Sequence, residues 1–546
     1  MPNLITRTES AYADSLLIKS LFEAPIGRNP DQEILYRDEK RFTYRQFRER
    51  VGRLASALKN MGVKEGDTVA VMDFDTHRYL ECYFAIPMIG AVLHTVNIRL
   101  SPEQLIYTMD HAEDDVLLIN AEFLPVLDHI KKRIDTVKKF VLMKDDHKPA
   151  AAEYVFDFEY EDMLASSSVM TEFPDFDENT RATTFYTTGT TGMPKGVYFS
   201  HRQLVLHTLA ASASLSSSHS QGSFHRDDVY MPITPMFHVH AWGIPYIATF
   251  LGVKQVYPGK YVPDLLLKLI ETERITFSHC VPTILHMLLK SPMSEKIDFS
   301  KWKVVIGGSA LTKQLCTAAL NRGIDIYSGY GMSETCPVLT LAFLSAAELK
   351  LPLEAQAALR CRTGSPIGLV SLKLADDLSS EIDSDDKASG EVLVRTPWLT
   401  QGYLKDHTNS EKLWAGGWLH TNDIASRNEA GSIRITDRKK DLIKVGGEWL
   451  SSLEIEDIIA YHPGVAESAV VGQADEQWGE IPLALTVLKP GVTVSDREII
   501  NIIRDYVDRG LLPKEAILLK VRIIEAIDKT SVGKVNKVAL REKYTK

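Results

Sequence analysis

Apolar residues recur along this chain in two alternating patterns, short unbroken runs and helical stripes, and the alternation predicts an α/β protein. Gly66-Asp67 turns into Thr68-Val69-Ala70-Val71-Met72, a run that reads as a buried strand. Helical spacing follows at Leu80, Tyr83, Phe84 and Met88, and Gly90 breaks it. Val304-Val305-Ile306 is a short apolar strand running into Gly307, Gly308 and Ser309. Strand ends of this kind are where open α/β sheets place ligands. Residues 216–224, polar and rich in Gly and Ser, read as an exposed connection after the helix containing Leu204 and Leu209. The acidic run 376–386, with Gly390 after it, reads as a charged hairpin tip.

Past Asp437 the pattern changes to that of a compact small α+β unit. A helix is expected over 452–460 and strands around 468–471 and 482–487. Ser495-Asp-Arg-Glu498 is a capping box, and Ile499, Ile502, Ile503 and Tyr506 follow at i, i+3, i+4, i+7 spacing. The expected division is therefore a large domain over 1–436, a hinge at 437–441 and a small domain over 442–546. No internal repeat and no low-complexity tract interrupts it.

The length of 546 residues is too great for one hydrophobic core. A net charge of −10 argues against electrostatic binding of nucleic acid or an anionic membrane. Phosphate-bearing ligands would need local cations instead. Five scattered cysteines without a C-x-x-C pair fit reduced thiols and a cytoplasmic location. The N-terminus lacks a signal-peptide layout, and no window approaches 18 apolar residues, so no membrane span is expected.

The most informative stretch is Tyr186-Thr-Thr-Gly-Thr-Thr-Gly-Met-Pro-Lys-Gly-Val-Tyr-Phe-Ser-His201. Gly189, Gly192 and Gly196 let backbone approach a polyanion. The hydroxyls of Thr187, Thr188, Thr190 and Thr191, with the Lys195 cation, can hydrogen-bond and neutralise phosphate oxygens. The spacing is not that of a Walker A loop, because Lys195 is followed by Gly196 rather than Ser or Thr. A second signal is Tyr327-Ser-Gly-Tyr-Gly-Met-Ser-Glu-Thr335, in which a Tyr flanked by glycines can lie against a purine and a carboxylate can hold Mg²⁺. Further along stand Gly416-Gly-Trp-Leu-His-Thr-Asn-Asp423, Asp437-Arg-Lys-Lys-Asp-Leu-Ile-Lys-Val-Gly-Gly-Glu-Trp449 and Asp528-Lys-Thr-Ser-Val-Gly-Lys534. Each of these, standing alone, would read as a solvated turn or tail.

Together, in this order from about Phe42 to Lys537, they resemble the adenylate-forming superfamily of acyl-CoA synthetases, luciferases and peptide-synthetase adenylation domains. The resemblance implies a large multi-subdomain N-terminal adenylation domain and a small mobile C-terminal domain. It also implies that ATP, Mg²⁺ and coenzyme A are used. In that family the loop 187–196 holds pyrophosphate. Tyr330 lies against adenine, Glu334 with Thr187 holds Mg²⁺, and Gly308, Ser309, Ser328, Gly329, Gly331 and Ser333 line the nucleotide. Asp423 takes both ribose hydroxyls, a task suited to an acceptor-only carboxylate, although Asn422 stands where the family has Gly. Arg438 reaches ribose or phosphate, and Lys440 takes up the rotation between domains. Gly446 and Gly447 help form the thiol channel. Lys534 bonds the substrate carboxylate and the α-phosphate, with Asp528 in place of a usual Pro. The segment Met236-Phe-His-Val-His-Ala-Trp242 is similar to the fatty acyl-CoA synthetase form. There His238 borders the carboxylate, Trp242 gates the acyl tunnel, and Val239 lies between them on the substrate segment. In that branch Lys444 and Trp449 also match nucleotide-contacting positions, and Asp437 replaces a frequent Gly.

The expected activity is ATP-dependent formation of acyl-AMP from a medium- to long-chain fatty acid, then transfer of the acyl group to coenzyme A. The alternatives are an aryl- or short-chain acid:CoA ligase, an adenylation enzyme loading a carrier protein, and a luciferase-like oxygenase. A homodimer accords with the fatty acyl branch.

Overall fold

The structure is a computed structural model that describes residues 3–145, 156–187, 193–217, 222–376, 380–382, 385–386, 388–530 and 534–545. These residues build four sheets. One of seven strands runs, edge to edge, Phe158–Glu159, Lys139–Met143, Asp114–Asn120, Thr68–Met72, Val92–Thr95, Arg181–Thr187 and Lys195–Ser200. All its pairings are parallel except the last, a hairpin in which Thr187 opposes Lys195 and Arg181 opposes Ser200. A nine-stranded sheet is parallel through Lys254–Tyr257, Val229–Ile233, Phe277–Cys280, Lys303–Ile306 and Asp325–Gly331. Glu33–Tyr36 pairs parallel to Lys254–Tyr257, with Lys40–Thr43 antiparallel beyond it; at the other edge Val338–Leu341 and Ser365–Pro366 are antiparallel. A four-stranded antiparallel sheet follows, from Ser371–Ala375 to Ile433–Arg438.

The apolar runs are explained by burial on both faces: every residue of Thr68–Met72 is buried. The helix His77–Met88 is likewise buried along its whole length, so its spacing marks a core helix rather than a surface one. The expectation of an exposed connection at 216–224 is corrected at its far end. Phe224 is fully buried and stacks on Phe277 with ring centroids 4.2 Å apart, and Gly222 accepts from the Tyr327 hydroxyl at 2.8 Å. An aromatic side chain at the edge of a polar run is the cue that composition averages away. Residues 376–386 do join two antiparallel strands, and Asp386 receives both Arg362 terminal nitrogens at 2.9 Å.

The small domain has its own core. Strands Val465–Asp475 and Gly479–Leu488 form one long antiparallel pair, longer than the sequence pattern suggests. Helices Ser452–Ala460 and Asp496–Asp508 cover the sheet, the second with its capping box formed and with Ile499 and Ile503 buried. Among the described residues no helix is long and apolar enough to cross a membrane.

Asp437 gives the junction its rigidity. It is buried at the end of strand Ile433–Arg438, and its Oδ2 accepts from the Ser452 backbone N at 2.6 Å and the Ser452 hydroxyl at 2.5 Å. That hydroxyl accepts in turn from Lys537 Nζ, which also pairs with Glu456 at 2.7 Å. A Gly at 437 could not make this cap. Asp437→Ala leaves the Ser452 donor without its acceptor and is expected to destabilise the small domain by about 2–3 kcal/mol. Hydrogen exchange will show faster opening of helix Ser452–Ala460 with the large domain unchanged; equal protection in both proteins would contradict this role.

Candidate nucleotide and acid site

The strands of the large domain end where the chemistry-bearing residues gather. Asp325–Gly331 carries Ser328, Gly329, Tyr330 and Gly331. Gly331 leaves no room for a side chain, since a Cβ there would stand 1.7 Å from the Pro337 carbonyl oxygen. The Tyr330 hydroxyl donates to Asp423 Oδ2 at 2.8 Å, and Arg438 Nε lies 3.3 Å from Asp423 Oδ1. The turn that presents Asp423 needs a left-handed residue, and Asn422 supplies it at φ 58°. Asn is the side chain, after Gly, that best tolerates this region, so the substitution for Gly preserves the turn. The buried Ser328 hydroxyl has no partner among the described residues, which leaves a polar group for a ligand to satisfy.

Glu334 is buried in the turn Ser333–Thr335 and its Oε1 accepts from the Tyr403 hydroxyl at 2.8 Å. A buried carboxylate held in this way is suited to a hard cation. Lys195 Nζ sits 4.6 Å above the Tyr403 ring. Thr187 is placed opposite Lys195 in the hairpin. Thr188, Gly189, Thr190, Thr191 and Gly192 lie outside the described residues. Gly196 is corrected from phosphate approach to packing: a Cβ would stand 3.0 Å from Leu404 Cβ and 3.2 Å from the Tyr186 ring, and its carbonyl accepts from Leu404 N at 2.8 Å.

Lys534 reaches this cluster from the small domain. Thr530 N donates to the Lys534 carbonyl at 2.7 Å and Lys534 N to Thr530 Oγ1 at 3.2 Å. A Cβ on Gly308 would be 3.6 Å from Lys534 Cε. Beside it lies a cavity of about 60 Å³ whose walls include Lys534, Gly308, His238, Trp242, Arg99 and Tyr261. Ser309 is exposed next to it. Trp242 covers the Gly307–Gly308 backbone and tilts against His279 with ring centroids 5.0 Å apart.

His238 and Trp242 face one cavity because the intervening backbone is left-handed. Val239, His240, Ala241 and Trp242 have φ of 48°, 52°, 45° and 59°. Each such residue costs roughly 1–2 kcal/mol. The segment is anchored by Met236 N donating to Asp75 at 2.8 Å and by Thr95 Oγ1 donating to the Phe237 carbonyl at 2.9 Å. Val239 is buried in the core, 2% exposed.

The structure leaves one predicted group elsewhere. Lys444 and Trp449 sit on an exposed hairpin, the ammonium 5.2 Å over the indole, with Trp449 52% exposed. Gly446 and Gly447 form its turn, at φ 58° and 103°, also exposed. Lys440 is part of the junction, its carbonyl accepting from Arg541 at 3.3 Å. Tyr403, Arg99 and the left-handed run are site features that sequence reasoning missed. Tyr403 belongs to no motif noted above, and a left-handed run with a β-branched residue carries no propensity signal.

The family model described as AMP-binding enzyme matches residues 22–404, and that described as AMP-binding enzyme C-terminal domain matches 454–534. The chain belongs to the AMP-binding enzyme family. It is 39% identical over 507 residues to a long-chain-fatty-acid–CoA ligase of Thermus thermophilus, covering 92% of this chain and 90% of that protein. It is 36% identical over 498 residues to a 3-methylmercaptopropionyl-CoA ligase of Ruegeria pomeroyi, covering 90% of each. A crystal structure of the anthranilate CoA ligase AuaEII with anthranoyl-AMP shares the fold at TM-score 0.83 and 22% identity, over 96% of this chain and 97% of that one.

In this AMP-binding enzyme the electrostatics centre on Lys534. Burial and the neighbouring Arg438 lower its pKa to about 8, against the opposing pull of Asp423 and Glu334. Burial raises both carboxyls, with Arg438 and Tyr330 countering at Asp423 and Tyr403 at Glu334. His238 is pushed down to about 3, first by burial and then by Lys534, so it is neutral at pH 7. Between pH 8 and 10.5 the unfolded chain binds more protons at Lys534 than the folded one, so this group makes stability rise with pH across that window. Isotope-labelled reductive methylation followed by NMR will place the Lys534 titration near 8. Arg438→Ala will move it up and Asp423→Asn will move it down; a midpoint near 10.5 in the parent protein would refute the burial.

Proposed function

We propose that the chain is an ATP-dependent, AMP-forming acyl-CoA synthetase that acts on medium- to long-chain fatty acids. The observation that carries this reading is Lys534, a cation from the small domain desolvated beside a cavity and facing Asp423, Glu334 and Arg438. The similarity to a long-chain-fatty-acid–CoA ligase supports the acid class.

A carboxylate resists nucleophiles because it is anionic and has no good leaving group. Its oxygen attacks the α-phosphorus of ATP, the bond to the β-phosphate oxygen breaks, and pyrophosphate leaves. The ammonium of Lys534 brings the two anions together and stabilises the added charge at phosphorus. Tyr330 and Asp423 orient adenine and ribose, and Arg438 and Lys195 offset phosphate charge. Glu334 and Thr187 are the residues that would hold Mg²⁺, which neutralises phosphate oxygens when bound. Neutral His238 and Trp242 wall the acyl group. The coenzyme A thiolate then attacks the acyl carbonyl and AMP departs. Rotation about Lys440 withdraws Lys534 and brings the Gly446–Gly447 turn to the site. Its present exposure, with Lys444 and Trp449, supports such an exchange of faces. Asp437 bonds Ser452 across the junction, so rotation about Lys440 has to break those bonds. A cytoplasmic, homodimeric enzyme is part of the same proposal.

One observation favours a second reading. A cavity of about 60 Å³ suits a short acid unless Trp242 moves, and a similar protein is named for 3-methylmercaptopropionate. Labelled pyrophosphate exchange into ATP, measured over straight-chain acids of increasing length plus benzoate, separates the two. The first reading expects an optimum at eight carbons or more, about the length that defines medium-chain acids. An optimum at two to four carbons would replace it with the second, and no exchange with any acid would refute both.

Lys534→Ala will lose adenylation by a factor of about 10²–10³ while still converting a supplied acyl-adenylate to thioester. Lys440→Pro, with φ fixed, will show the reverse pattern. Equal loss of both half-reactions in either variant would overturn the division of labour between the two faces of the small domain.

A further inference from the structure

A cleft of about 500 Å³ opens at the far end of the hairpin that carries Lys195. Its wall includes Arg181 and Ser200, paired six residues down the strand from Thr187 and Lys195. The cleft shares no lining residue with the Lys534 cavity, so the two are distinct. Its volume lies within the range of small-molecule sites. Three cations line it, Arg181, Arg202 and Lys405, and no carboxylate does among the described residues. Such one-sign lining stands out in a chain of net charge −10.

Two of the cations are held by carboxylates outside the lining, Arg202 by Glu178 at 2.6 Å and Lys405 by Glu113 at 2.8 Å. Arg181, partly buried, makes no ion pair among the described residues. Glu113, lowered first by Lys405 and also by Arg181, is a nearby counter-charge, and the Arg181 guanidinium can still donate to an anion from solution. Tyr198, Gln401 and Tyr403 add aromatic and amide surface to the same wall. Tyr403 links the cleft to the nucleotide site, because its hydroxyl bonds Glu334 at 2.8 Å and its ring lies 4.6 Å beneath Lys195. The next residue, Leu404, donates its backbone N to Gly196 at 2.8 Å.

We propose that this cleft is a second binding site, for a small phosphorylated molecule, whose occupancy acts on the nucleotide site through Tyr403. A phosphate group matches Arg181 by bidentate hydrogen bonding, with Arg202 and Lys405 adding charge. A base or other flat group rests on the tyrosines. The occupant is distinguished from the adenylation substrates by position, not by chemistry, and its affinity and that of ATP change each other by the same factor.

Equilibrium dialysis of the full-length protein with labelled pyrophosphate, AMP and coenzyme A tests this. For at least one of the three, the parent protein will show one more class of sites than Arg181→Glu. Arg181→Met, which removes the charge without reversing it, will weaken that class by roughly tenfold or more. The ligand that shows the extra class identifies the phosphate source, and its saturation will shift the apparent affinity for a nonhydrolysable ATP analogue in the parent but not in Arg181→Glu. Identical classes in parent and both Arg181 variants, for all three ligands, would overturn the site. An unshifted ATP affinity would overturn the coupling. Pyrophosphate exchange by the parent protein scores the adenylation reading separately, because exchange there needs no second site.

Discussion

The arrangement of this protein turns on a buried ammonium held among opposed charges. Lys534 is desolvated, repelled by Arg438 and attracted by Asp423 and Glu334, and it reaches them only because the small domain sits against the large one. The balance is close enough to bring the pKa to about 8. A deeper burial would discharge the lysine, and a shallower one would leave it screened by water. The two carboxyls, raised by the same burial, lean on Arg438, Tyr330 and Tyr403 for their charge. Residues from two sheets and two domains thus share one electrostatic problem.

The protein holds that contact with a stiff junction. Asp437 ties the last strand of the large domain to the first turn of helix Ser452–Ala460 and, through Ser452, to Lys537. These bonds span the junction, so any rotation of the small domain about Lys440 must break them.

Much of this was readable from residue order. Alternating runs and stripes gave the α/β class because parallel strands must be apolar on both faces, as Thr68–Met72 is. The capping box at Ser495 and the stripe after it placed a helix correctly because both signals are local. The motif residues Tyr330, Asp423, Arg438 and Lys534 do meet, although nothing local in the chain requires it. What escaped notice depends on distant neighbours. Phe224 looked like part of a loop because its partner, Phe277, lies over fifty residues away. Tyr403 carries no motif, and only the fold reveals that it touches both Glu334 and Lys195. Gly196 looked like a phosphate contact, and the close approach of Leu404 makes it a packing requirement.

The run of left-handed residues from Val239 to Trp242 limits how this wall of the Lys534 cavity can change. Any replacement there must fit its new shape and also endure a backbone that most side chains avoid. Under the proposed function, drift in acid preference falls to Val281, Thr283 and Ile284, which line the same cavity at the start of the right-handed helix Pro282–Lys290. One side of the cavity is conformationally frozen. The other is open to evolutionary tailoring without penalty to the main chain.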